Sequence, residues 1–108
     1  MHYLQPHMDK FVKDIETLLV DHRNERFPNL PKPIVGVNEG SVYWKIVTGG
    51  EGGKLNRVYA FVRKDDGAIF KPATWSAPQT KTKSAIRGYI HDPDPMQYVN
   101  PYGVNYAR

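Results

Sequence analysis

Apolar residues recur at three- and four-residue spacing through Phe11, Val12, Ile15, Leu18 and Leu19. Lys10, Lys13, Asp14, Glu16 and Asp21 fill the positions between them. This stripe predicts one amphipathic helix, capped by Asp9 and running to about His22, with residues 1–8 as a loose lead-in. Further on the period changes to two. Ser41–Thr48 and Asn56–Arg63 are rich in Val, Ile, Tyr, Trp and Phe, which suit a pleated, half-buried surface. Between them Gly49-Gly50-Glu51-Gly52-Gly53 reads as a hairpin loop. Asp65-Asp66-Gly67 is a second turn, because Gly accepts a positive φ. Ala68–Lys71 follows as a short strand that Pro72 stops, since proline has no N–H for a ladder. Ile34–Val37 reads as a short first strand after the Pro-rich Asn24–Pro33 segment. The expectation is an α+β fold, with an N-terminal helix packed on a three- to four-stranded antiparallel meander.

Alternation divides the two long strands into faces. Val42, Trp44 and Ile46 with Val58, Ala60 and Val62 make a wholly apolar face, the natural partner of the helix stripe. Tyr43, Lys45 and Val47 with Arg57, Tyr59, Phe61 and Arg63 make a face that mixes aromatics with cations. The Asp-Asp-Gly turn can be built as a two- or a three-residue loop, so the face of Phe70 stays open. Residues 71–87 have no clean period. They are rich in hydroxyls and cations and are expected to form a loop anchored on the core by Trp75, with Lys83–Ile90 also read as loop. The domain is expected to span 1–91. Residues 92–108, broken by Asp-Pro-Asp-Pro and Asn-Pro, read as an extended arm whose Tyr98, Tyr102 and Tyr106 pack on their own domain or on a neighbour.

Composition narrows the function. The chain has 108 residues, no cysteine and a net charge of +4. Disulfide and thiolate chemistry are therefore excluded. No apolar run reaches a membrane span, and the N-terminal residues lack the basic and apolar regions of a signal peptide, so an intracellular, unsecreted protein is expected. The charge is unevenly placed. Residues 57–87 carry a net +5 from Arg57, Arg63, Lys64, Lys71, Lys81, Lys83 and Arg87 against Asp65 and Asp66. Such asymmetry suits a polyanionic partner.

Catalytic chemistry is sparse. His2, His7, His22 and His91 show no metal-ligand spacing on a helix, and His91 with Asp92 and Asp94 sits in a Pro-rich surface segment. No nucleotide-binding, nucleophile-elbow or zinc-protease motif occurs. A non-enzymatic protein without cofactor or metal is expected. The candidate single-stranded nucleic-acid surface comprises Tyr43, Lys45, Arg57, Tyr59, Phe61 and Arg63, with Lys71, Lys81, Lys83 and Arg87 from the loop; bases would stack on rings while phosphates meet cations. The alternative is an interaction protein forming a homo-oligomer through the tyrosines of the arm.

One run carries a resemblance. Val58–Val62, the Asp66-Gly67 turn, Lys71–Trp75 and Arg87-Gly88 follow one another as in small proteins of marine and cyanobacterial phages. The resemblance covers the middle third of the chain. It implies a viral origin, hence a host cytoplasmic setting, and no activity, so no catalytic residues carry over.

Overall fold

The computed structural model describes residues 2–50, 55–81 and 85–105. The fold is α+β, with one N-terminal helix packed on a five-stranded antiparallel sheet in meander order. Helix α1 spans Gln5–Arg26, longer at both ends than the stripe predicts. Pro6 is no obstacle, because the first helical turn has unpaired N–H groups in any case. The lead-in is part of the core: Leu4 and Met8 are buried with Phe11, Ile15 and Leu19. The strands are β1 Ile34–Glu39, β2 Tyr43–Gly49, β3 Leu55–Arg63, β4 Ala68–Phe70 and β5 Ile86–Tyr89. Strand β5 falls where a loop was expected; it pairs with β4 through Ala68↔Tyr89 and Ile69↔Gly88. Most of the Gly-rich β2–β3 connection lies outside the described residues.

The helix covers the face carrying Trp44, Ile46, Ala60, Val62 and Ile69, as the stripe requires. Three assignments change, and a β-bulge accounts for two. Pairing runs from Ile46↔Ala60 directly to Val47↔Val58, so Tyr59 is an extra residue on β3. An extra residue reverses the alternation beyond it. Tyr59 therefore joins the helix-side core, and Val58 moves to the opposite face. Val42 is the other change. It precedes β2, is 51% exposed, and is held in a turn by Gly40 N–H donating to the Tyr43 carbonyl. On the second face Phe61, Ala68 and Phe70 form a smaller apolar cluster with Tyr43, Val58, Ala85 and Tyr89. The pairing Phe61↔Phe70 places Phe70 there.

The C-terminal tail is short and lies along its own domain. A 3-10 turn, Pro95–Tyr98, leads into a small hairpin of β6 Val99–Asn100 and β7 Gly103–Val104. Gly103 turns this hairpin at φ +137°, a backbone that disfavours side-chain-bearing residues. Val99 and Val104 are buried in the same cluster as the helix stripe, so one core continues past Asp92. No helix among the described residues is long and apolar enough to cross a membrane.

Candidate functional site

The aromatic residues expected to stack on a ligand are mostly interior. Tyr59 is 3% exposed, and its hydroxyl donates to the Asn100 carbonyl at 2.6 Å. Burial pushes its phenol well above the ordinary range. Phe61 is equally buried. Tyr43 is half-buried and meets Phe61 and Phe70 edge-on, with centroids 5.9 and 5.8 Å apart. An open stacking surface on the sheet is thus corrected for Tyr59 and Phe61. The bulge turns the first inward, and the second-face cluster covers the second.

Two of the cations are held by carboxylates. Arg63 grips Asp66 through two bonds, Nε to Oδ1 at 3.1 Å and Nη2 to Oδ2 at 2.7 Å. This pairing raises the Arg63 guanidinium further and holds the Asp66 carboxyl below its usual range. Lys64 bridges Glu39 at 2.6 Å and donates to the Gly40 carbonyl, which lowers the Glu39 carboxyl. Arg57, near the start of β3, and Lys81 are exposed, and Lys71 is half-buried. Arg87, at the irregularity where β5 meets β4, buries its Nε and Nη1 without a hydrogen-bond partner among the described residues. Lys83 lies outside the described residues.

Trp75 is not the core anchor expected of it. It is 48% exposed on the segment joining β4 to β5. That segment is a tight excursion: Pro72 bridges Pro78, and Gln79 N–H donates to the Lys71 carbonyl at 2.8 Å. Lys45, from the middle of β2, donates to the Trp75 carbonyl at 3.0 Å and places its ammonium 4.3 Å from the ring centroid. The strand thus supports the loop through one lysine, and the indole is held outward. A signal for this was present. Trp75 stands between Pro72 and Pro78, with nothing larger than Ala73 and Ala77 at strand spacing.

The arm tyrosines separate. Tyr98 donates to Asp92 Oδ2 at 2.6 Å, which raises the phenol and lowers the carboxyl. Tyr102 is 68% exposed and meets His22 edge-on at 5.4 Å. Tyr106 lies outside the described residues. His91 faces the Asp66 carbonyl at 2.9 Å and has His7 6.3 Å away, while Asp92 also accepts from Tyr89 N–H. No group of three or more His, Asp or Glu among the described residues could hold a metal ion.

No curated protein and no solved structure matches the chain. The model of one family does match, over residues 1–96, and the chain belongs to that family, a family of unknown function (DUF7717).

Proposed function

We propose that this chain is a non-enzymatic, phage-type accessory protein that binds single-stranded nucleic acid. Contact runs through Trp75 and the cations Lys45, Arg57, Lys81 and Arg87, rather than through the sheet aromatics. The observation that carries this reading is Trp75: a half-exposed indole backed by an ammonium, in the segment that holds the net +5. A ring held outward beside cations is the arrangement on which unpaired bases stack, because every base has a π-face and every linkage a charge. Arg63 and Lys64 are already neutralised by Asp66 and Glu39, so the phosphate contacts fall to the other cations.

The test is fluorescence anisotropy of a labelled single-stranded oligonucleotide at low and moderate salt. Stacking on one aromatic contributes about 1–3 kcal/mol per base, so Trp75→Ala should weaken binding roughly 5- to 150-fold. Changing Lys81, Lys83 and Arg87 to Ala should lower affinity and flatten the salt dependence. Unchanged affinity of Trp75→Ala, or no binding at low salt, ends this reading.

A further inference from the structure

Beside Trp75 the second face opens into a cleft of about 330 Å³, between the β1–β2 turn and the β4–β5 segment. We infer that this cleft is a nucleotide subsite, taking one planar heterocycle with its phosphate. The inference rests on the nucleic-acid reading above and locates one residue of the strand.

Four features support it. The volume is at the lower end of the roughly 300–1,000 Å³ of ligand pockets, enough for one ring system with a short appendage. Tyr43 and Phe61 line it, and the Tyr43 ring is held edge-on by Phe61 and Phe70, so aromatic residues are already fixed at the cleft before a ligand arrives. Asn38, Ser41 and Ser76 also line the cleft, and their side chains make no hydrogen bond among the described residues. An amide and two hydroxyls offer both donors and acceptors, which the mixed edge of a base requires. The charge is favourable as well. Glu39, the acid on the rim, is paired with Lys64, whereas Lys45 has no carboxylate within ion-pair distance among the described residues. Lys45 places its ammonium over the Trp75 ring, so a phosphate paired with it would sit next to the exposed indole.

A nucleotide could come from a strand or from free solution, and the experiment separates the two. The ¹⁵N-labelled full chain is titrated with a short oligothymidylate, with thymidine and adenosine monophosphates, and with inorganic phosphate. The expected result is saturable shifts of the Gly40, Ser41, Val42 and Ser76 amides with the oligonucleotide. Ser41→Phe, an exposed turn substitution placed to fill the cleft, should weaken oligonucleotide binding at least about tenfold. Asn38→Ala, which removes only a side-chain amide, should weaken it by a few-fold. Oligonucleotide binding that depends on Trp75 but leaves these amides unmoved, with Ser41→Phe neutral, overturns the subsite and leaves the proposed function standing. Shifts with a monophosphate but not with the oligonucleotide keep the subsite, for a free nucleotide, and remove the nucleic-acid reading. Shifts reproduced by inorganic phosphate alone overturn the subsite in favour of a bare anion near Lys45. No binding of any probe, by amide shift or by anisotropy, overturns both.

Discussion

Gly88 offers a sharp check on how the tail meets the sheet. It sits in β5 with ordinary backbone angles, so alanine is conformationally acceptable there. A Cβ added at that position would overlap the Tyr98 ring, against Cε2, Cζ and Cδ2. In Gly88→Ala the ring must therefore leave, and with it the 2.6 Å bond to Asp92 and the packing of Tyr98 on the core. Overpacking of this kind costs about 1–3 kcal/mol. At roughly 4 °C per kcal/mol for a domain of this size, Tm should fall by about 4–12 °C. The decisive arm is a double-mutant cycle read by thermal and urea unfolding. In a Tyr98→Ala background the clash has no partner, and Gly88→Ala should be neutral or stabilising by up to about 1 kcal/mol, because glycine weakens a strand. Parental melting of Gly88→Ala, or the same loss in both backgrounds, would refute the placement of Tyr98 over β5.

Two further outcomes follow from the same geometry. Tyr59→Phe should lose about 0.5–1.5 kcal/mol in urea unfolding, because the Asn100 carbonyl loses its donor, and hydrogen exchange should quicken across residues 99–104; a phenol facing solvent would show neither effect. For Asp66 the folded carboxyl titrates below its free value of 3.8, so its contribution is present above that value and is lost as pH falls through the folded one. Asp66→Asn should therefore lower the urea midpoint near neutral pH, and the difference from the parent should close as pH falls through the folded carboxyl's lowered value; a difference independent of pH would point to a loss other than the charge.

Much of the fold is legible in the chain because it depends on local periodicity. The stripe from Phe11 to Leu19 needs only 3.6-residue geometry, and Asp65-Asp66-Gly67 needs only a positive φ, seen at Gly67 as +77°. The helix, four of the five strands of the main sheet and the face that buries Trp44 and Ile46 are specified in this way, as is the concentration of charge between Arg57 and Arg87. The rest depends on partners distant in sequence. One extra residue at Tyr59 reverses which side chains are covered, and no local pattern marks it, since Val58, Tyr59 and Ala60 continue the strand without a glycine or proline. Strand β5 exists only because β4 lends it an edge across the intervening loop. Val99 and Val104 become core only when the hairpin meets β3 and the helix-side cluster. Trp75 and Lys45, thirty positions apart, become one feature through a hydrogen bond and a ring contact. Periodicity decided which residues must be buried. Register and long-range packing, which local pattern does not encode, decided which aromatic stayed outside.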